Sequence, residues 1–194
     1  MHELIHAHPL SVLVSLKNSA PEVNHIPLLL SCIAEGHGIL TGHIARANTL
    51  WKDHPQEAEV IAVFHGPESY ISPTWYATKE ETGRVVPTWN YTAVHARGRI
   101  RFIHEAEWLI KHLEEITNHN EKSLPKPWNV SDAPAEYIEQ LVNAVVGIEI
   151  QITSLQGKWK VSQNKPEKDR NSVVENLNAM GFGEMASLVA KKGT

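Results

Sequence analysis

A succession of short, apolar, β-rich segments separated by turn residues is the feature that most constrains how this chain folds. Helical patterns are few and come mainly after residue 104, so the strand–helix alternation of a parallel sheet is missing. Short strands joined by turns predict a mostly β (α+β) fold, an antiparallel barrel with peripheral helices. The β-rich segments are 10–16, 25–31, 39–44, 59–65, 70–73, 85–103 and 146–155.

Helical patterns flank these segments. An amphipathic helix is predicted at 105–117, where Trp108, Leu109, Leu113 and Ile116 share one face. We expect a barrel domain at residues 1–165 and a C-terminal helical tail at residues 166–194. Shorter helices are predicted at 1–8, at 45–52, at 135–142 and twice within 172–191.

Composition excludes several classes of protein. The 194 residues carry a net charge of −4 and a single cysteine, Cys32, so neither a disulfide framework nor a multi-cysteine metal site can form. No run of about 18 apolar residues is present, and no basic segment followed by an apolar stretch starts the chain. We therefore expect a cytoplasmic protein that does not enter a membrane. The negative charge disfavours attraction of nucleic acid to the whole surface, although a local basic patch is compatible with it.

The first residues, His2-Glu3-Leu4-Ile5-His6, have the spacing of the zinc-binding motif H-E-x-x-H. On a helix this spacing puts two imidazoles on one face, with the glutamate as general base. The chain has 12 histidines, so a chance match is easy, and Pro9 leaves about two helical turns. We predict a surface helix with Leu4 and Ile5 packed inward, and no metal site.

Residues 42–48 (GHIARAN) mark the end of a strand and the start of a predicted helix. The first N–H groups of a helix attract phosphate, and an arginine offers a fork of donors to a phosphate monoester. Arg46 is therefore a candidate phosphate ligand. The alternative is that Arg46 is a solvated helix residue and that His43 is a cap.

Two clusters of aromatic and hydroxyl residues, 70–76 (YISPTWY) and 87–91 (PTWNY), are predicted to lie on strands. The rings could form the wall of a pocket for a planar ligand, with Ser72, Thr88 and Asn90 as hydrogen-bonding groups. The tryptophans of the two clusters could equally fill the barrel core.

The segment 156–170 is polar and basic around Trp159, with five basic and two acidic residues. It could bind phosphate, an aromatic ring or nucleic acid. The alternative is a solvated loop that follows the last strand.

Five segments, in this order, resemble the PaiB family of FMN-binding negative transcriptional regulators. The resemblance covers about residues 8–180 and implies a split β-barrel of the flavin-reductase type, a homodimer and bound FMN. The segments are HIPLLL (25–30), LTGHIARANTLW (40–51), VFHGPESYISPTWY (63–76), VPTWNYTAVHARG (86–98) and LQGKWKVSQN (155–164).

The resemblance also implies three sets of flavin-binding residues: phosphate ligands, residues that border the rings, and residues that close the pocket from the same or the second subunit. The phosphate ligands are His43, Arg46 and Asn48. The residues that border the rings are Ser72, Trp75, Thr88 and Asn90, and those that close the pocket are Lys158, Gln163 and Asn164.

Three functions remain open at this point, and the least favoured is a zinc hydrolase that uses His2, Glu3 and His6. The family implies a negative regulator of protease and sporulation genes, with DNA or a regulatory protein as partner. The sequence has no helix-turn-helix pattern, so this role rests on the resemblance. The alternative is an FMN-dependent oxidoreductase, since split barrels also hold redox enzymes. We expect a regulator rather than an enzyme.

Overall fold

The computed structural model describes residues 1–34 and 36–191. The strands are β1 (Leu10–Lys17), β2 (Ala20–Pro27), β3 (Leu29–Ser31), β4 (Ile39–Ala45), β5 (Ala58–Ile71), β6 (Thr88–Ile103) and β7 (Val145–Lys160). The helices are α1 (His2–Ala7), α2 (Leu50–Asp53), α3 (Lys79–Thr82), α4 (Ala106–Glu121), α5 (Ala135–Asn143), α6 (Glu167–Ala179) and α7 (Gly183–Ala190), with 3-10 helices at Pro73–Trp75 and Val130–Asp132. Within the described residues, none of the helices has the length and apolar character needed to cross a membrane.

These strands form one sheet in the order β2-β1-β5-β6-β7-β4-β3. The two edge strands, β2 and β3, are consecutive in the chain and are separated by Leu28 alone. β2 pairs antiparallel with β1, whereas β3 pairs antiparallel with β4. The sheet must therefore curl until its outer strands meet, which confirms the mostly β (α+β) split barrel with peripheral helices.

The chain divides into two compact units. Unit 1 comprises Met1–Phe64 and His95–Gln156, and unit 2 comprises His65–Val94 and Gly157–Thr194. The long strands β5, β6 and β7 contribute residues to both. The division into a barrel at 1–165 and a helical tail at 166–194 stays a prediction.

A tight hairpin in unit 1 joins β1 to β2. Lys17 pairs with Ala20, so the turn consists of Asn18 and Ser19 alone. Both residues have positive φ, 50° and 65°, as a type I′ turn requires. Alternate residues of β1 point inward and outward, which is the pattern of a strand with one buried face.

The core of unit 1 is apolar and receives side chains from strands and helices. Leu4 and Ile5 of α1 are both buried, which confirms their inward packing. In α4, Leu109 is buried, and Trp108, Leu113 and Ile116 are partly buried, so the amphipathic helix is confirmed. The largest fully buried side chains of this unit are Phe64, Ile5, Leu13, Leu28, Leu40, Leu50, Ile100, Leu109, Ile148 and Ile150.

Unit 2 has a smaller core beneath α6 and α7, the two helices predicted within 172–191. Trp75, Val85 and Trp159 pack against this core and are partly buried. Its buried members are Ile71, Tyr76, Val161, Val173, Leu177, Met185, Ala186 and Val189.

Two strands, β5 and β7, are longer than the sequence predicts. β5 is continuous through Gly66 and Pro67, where the sequence places a break. The register of β1 on β5 covers only Ile61–Val63, so the missing N–H of Pro67 removes no hydrogen bond to β1. β7 continues to Lys160, through the first part of the polar segment expected to be a loop.

A glycine in the middle of the predicted segment 85–103 would be expected to break the strand, but Gly98 lies inside β6. A Cβ on this glycine would lie 2.5 Å from the main-chain oxygen of Gln151 and 2.6 Å from a methyl carbon of Ile150. The glycine therefore permits a close approach of β7 instead of ending the strand.

Candidate functional site

Arg46 directly follows β4 and is held by the junction between α5 and β7. Its main-chain N–H donates to the carbonyl of Ala144 over 2.7 Å. Its side-chain Nε donates to the carbonyl of Asn143 over 2.7 Å, and Nη2 donates to that of Val145 over 2.8 Å. Three contacts to consecutive residues fix both the main chain and the guanidinium.

Basic and aromatic groups surround this guanidinium. We call Arg46, Trp51, Lys52 and His104 the Arg46 cluster. Arg46 and Lys52 lie 6.0 Å and 5.0 Å from the Trp51 ring centroid, and the His104 ring contacts Trp51 edge-on with centroids 5.2 Å apart. Arg46 Nη1 lies 3.5 Å from His104 Nδ1. Among the described residues, no carboxylate lies within 4 Å of the charged groups of Arg46 or Lys52.

The helix predicted at 45–52 is wrong in its position, and the dipole argument fails with it. α2 spans only Leu50–Asp53, so Arg46 precedes it by a turn. The N–H of Leu50 at its start already donates to Asn48 Oδ1 over 2.9 Å. The positive charge of the Arg46 cluster therefore comes from the side chains of Arg46 and Lys52 and not from a helix end.

The Arg46 cluster suits a phosphate monoester. A guanidinium has five N–H groups, and three of them are engaged with Asn143, Val145 and His104. Two remain for an anion, and Lys52 adds a second positive charge. Because main-chain carbonyls orient the guanidinium in advance, little side-chain freedom is lost on binding.

His43 contacts a second histidine, His112. It points outward from β4 toward α4, where its Nδ1 lies 3.1 Å from Nε2 of His112. Trp108 stacks on His112 with centroids 5.3 Å apart and covers Gly147. Burial lowers the pKa of His43, and burial together with the charge of His43 lowers the pKa of His112 to about 4. Both rings are therefore neutral at pH 7 and offer an anion no positive charge.

Asn48 has a positioning role in this structure. Its Nδ2 donates to Asn24 Oδ1 of β2 over 2.8 Å, and its Oδ1 accepts from the N–H of Leu50. The amide thus attaches the turn after β4 to the barrel and begins α2. Of the three predicted phosphate ligands, Arg46 carries a positive charge, and the roles of His43 and Asn48 as ligands stay predictions.

The other seven predicted residues belong to unit 2, and two of them, Ser72 and Trp75, are not on the strand predicted for them. Ser72 follows β5, and its side chain accepts from the N–H of Thr74 over 3.2 Å. Trp75 ends the 3-10 helix Pro73–Trp75 and packs against the core of unit 2. The strand predicted through 70–76 is wrong because Pro73 and the Ser72 cap start a helical turn.

Thr88 and Asn90 lie on β6, as predicted, and both have protein partners. Thr88 Oγ1 accepts from Lys160 Nζ over 2.5 Å. Asn90 is buried, and its Nδ2 donates to Ser162 Oγ over 2.9 Å. Buried polar groups paired in this way attach the start of β6 to the end of β7.

The last three predicted residues lie at the end of β7 and in the turn after it. Lys158 is on the strand and exposed, and Asn164 is exposed in the turn. Gln163 accepts from the N–H of Val161 over 2.9 Å and donates to the carbonyl of Trp159 over 2.7 Å. Its amide shapes this turn, while Lys158 and Asn164 are accessible to a ligand.

Sequence reasoning missed an exposed aromatic pair on unit 2. The rings of Tyr70 and Trp89 meet edge-on with centroids 6.0 Å apart, and they are 45% and 54% exposed. Alternation along β6 could have found Trp89, because its neighbour Asn90 faces the interior. Between the two candidate tryptophans, Trp89 presents a ring to solvent, whereas Trp75 fills the core.

Comparison with solved structures supports the fold. The FAD and haem binding protein from Mycobacterium smegmatis superposes with a TM-score of 0.59 over 82% of this chain and 69% of that chain, at 10% identity. At this identity the likeness shows the fold alone.

Comparison of sequences identifies the family. "Uncharacterized protein AN0679" of Emericella nidulans is 36% identical over 100% of this chain and 92% of its own length. "Protease synthase and sporulation protein PAI 2" of Bacillus subtilis is 32% identical over 84% of this chain and 76% of its own length. Residues 1–154 match the profile of the family described as "Putative FMN-binding domain". The chain therefore belongs to this PaiB-type family of FMN-binding domains.

Proposed function

We propose that this protein binds FMN and that the Arg46 cluster holds its phosphate. The observation that carries this proposal is an oriented guanidinium with two unused N–H groups, beside Lys52 and Trp51 and with no carboxylate within 4 Å among the described residues. Membership of the family gives independent support. When bound, FMN supplies a planar redox-active ring system.

The other nine residues that the resemblance implies stay predicted ligands or neighbours of the flavin: His43, Asn48, Ser72, Trp75, Thr88, Asn90, Lys158, Gln163 and Asn164. We add the exposed Tyr70–Trp89 pair, because accessible rings can contact a flat ligand. Replacing Trp89 with Ala should therefore weaken FMN binding more than replacing Trp75 with Phe, which keeps the core filled.

The visible absorbance spectrum tests FMN binding directly. Protein purified without added cofactor is mixed with FMN, and the excess is removed by gel filtration. We expect flavin absorbance to elute with the protein at about one FMN per chain. Flavin that separates completely from a folded protein would refute the proposal.

We further propose a homodimer that is formed through the outer face of β1 and β2. Leu10, Leu16 and Val23 on this face are 60%, 62% and 55% exposed, although outward positions of a solvated sheet are normally polar. The face continues into a cavity of about 360 Å³ that Glu59 and Arg97 line together. Opposite charges on one face allow it to pair with a second copy of itself across a twofold axis.

Molar mass in solution tests the dimer. Light scattering after gel filtration should give twice the chain mass for the wild type and the chain mass for Leu16→Lys. Ile110→Lys serves as a matched control, because Ile110 is an exposed apolar residue on α4. A monomeric wild type, or a Leu16→Lys variant that stays dimeric, would contradict this interface.

A regulatory role in gene expression is the finer part of the proposal. It is supported by the resemblance and by the name of the Bacillus subtilis relative, a protease synthase and sporulation protein. A cytoplasmic location follows from this role and stays a prediction. Selection of genomic DNA fragments at low salt should enrich specific sites, and the binding should weaken steeply as salt rises. If neither DNA nor a protein partner is captured, the regulatory role fails.

The visible absorbance spectrum of the bound flavin also distinguishes the regulator from the alternative, an FMN-dependent oxidoreductase. An oxidoreductase that uses a nicotinamide reductant would lose flavin absorbance on anaerobic addition of NADH or NADPH. We expect no such bleaching at a catalytic rate. Rapid bleaching followed by reoxidation with an acceptor would favour the enzyme over the regulator.

A further inference from the structure

Four potential metal ligands lie in unit 1, and none of them is among the residues assigned to the flavin. His2 and His6 are four residues apart on α1, so their side chains share one face. Cys32 follows β3, and its Sγ lies 3.7 Å from Nδ1 of His2. His119 of α4 faces His6 with ring centroids 6.5 Å apart. The fold thus adds a thiol and a third imidazole to the two histidines of the sequence motif.

The distance between Cys32 and His2 matches that of two ligands of one ion. In tetrahedral zinc sites the Zn–N distance is about 2.0–2.1 Å and the Zn–S distance about 2.3 Å, which puts the two ligand atoms roughly 3.6 Å apart. The observed 3.7 Å is thus a near fit. A thiol and imidazoles are also the ligands that zinc favours over hard cations such as Mg²⁺.

The four side chains have room to complete a coordination shell. His6 and Cys32 are exposed, and His2 and His119 are partly exposed. A surface cavity of about 420 Å³ is lined by both His6 and His119. Within the described residues, no three such side chains are already close enough to share an ion. The rings of His6 and His119 must therefore turn, and their exposure permits this.

We propose that His2, His6, Cys32 and His119 bind one Zn²⁺ ion in a closed tetrahedral site. The Cys32 thiol loses its proton to solvent on binding, as a zinc-bound thiolate requires. Because four protein ligands leave no open position for water, the site is not a hydrolase centre and Glu3 is not its base. The ion would connect α1, the end of β3 and α4, three elements that meet on one side of the barrel.

Cobalt titration tests this proposal, because thiolate-bound Co²⁺ has a charge-transfer absorption that imidazole-bound Co²⁺ lacks. The full chain is prepared without an affinity tag, stripped with a chelator and titrated with Co²⁺ and then Zn²⁺. We expect one Co²⁺ per chain, a thiolate band, and displacement of the band by Zn²⁺. The melting temperature should rise with Zn²⁺, since binding to the folded state stabilises it.

Variants identify the ligands. Cys32→Ser should abolish the band, and His6→Ala and His119→Ala should each weaken Zn²⁺ binding at least about tenfold, the lower end of what even outer-sphere changes produce. His65→Ala is the matched control, since His65 is exposed on β5 and should behave as wild type. No stoichiometric Co²⁺ uptake, or uptake that Cys32→Ser and His6→Ala leave unchanged, would overturn the proposal. FMN binding is measured separately and does not affect either result.

Discussion

Replacing Arg46 with Ala tests both the site and its geometry. The variant removes the two free N–H groups and the charge proposed to hold the phosphate. Losing a charge-assisted partner costs about 1–3 kcal/mol, so the Kd for FMN should rise roughly 5- to 150-fold. Riboflavin, which has no phosphate, should bind the wild type and the variant with similar affinity. The preference for FMN over riboflavin should therefore largely disappear.

The same substitution should also destabilise unit 1. Nε and Nη2 of Arg46 donate to the carbonyls of Asn143 and Val145, and each bond from a charged donor contributes about 1.5–3 kcal/mol when buried. Arg46 is half-exposed, so we expect a total loss of about 1–3 kcal/mol in the free energy of unfolding. Arg46→Lys keeps the charge without the fork of donors, and its effect on FMN should be intermediate.

The assay is quenching of flavin fluorescence on binding, performed well below the melting temperature of each variant. Arg84→Ala is the control, because Arg84 is exposed and its loss changes the net charge by the same amount. If Arg46→Ala is folded and still prefers FMN over riboflavin as the wild type does, Arg46 is not a phosphate ligand.

Three further predictions concern stability. The pKa of His112 is about 4 in the folded protein against an ordinary value of 6.5, so between these pH values the unfolded chain binds a proton that the folded chain does not. The free energy of unfolding is therefore highest above pH 6.5 and falls toward pH 4. The difference between its values at pH 7.5 and pH 4.5, measured by urea unfolding, should be about 2–3 kcal/mol larger in the wild type than in His112→Gln. A Cβ on Gly147 would overlap the ring of Trp108, so Gly147→Ala should cost about 1–3 kcal/mol, whereas Gly183→Ala, with no atom within 4 Å of its Cβ, should cost less than about 0.5 kcal/mol. Ser19 has φ 65° in the hairpin turn, so Ser19→Gly should stabilise by about 0.5–1 kcal/mol in thermal melts, and Ser19→Ala should not.

Local patterns predicted the class of fold because strands with one buried face alternate in sequence. They failed where the conformation of a residue depends on a contact with a residue far away in the chain. Gly98 has the residue type of a strand break, but in the structure it allows β7 to approach β6 closely. β7 extends beyond its alternating apolar residues because its end is bound to β6 through Lys160 and Thr88. The Ser72–Pro73 cap was a local signal that could have corrected the strand at 70–76.

The sequence names Arg46 as a candidate ligand but does not give the contacts that position it. Arg46 could be selected from its residue type, yet its partners Asn143 and Val145 are about a hundred residues away in the chain. The same is true of His43, whose partner His112 lies on α4. Contacts of this kind depend on the register of β4 with β7, which no local pattern specifies.

The pairing of β4 with β7 has a consequence for how the protein is made. Ala45 pairs with Val145, so one hundred residues separate the partners. At a ribosomal rate of roughly 5–20 residues per second, β7 is synthesised about 5–20 s after β4. During that interval the nascent chain exposes the edge of β4 that later pairs with β7, although β3 can already pair with the other edge and the β1–β2 hairpin is complete. Chaperone binding to stalled chains should therefore be strongest for those that end between these two residues.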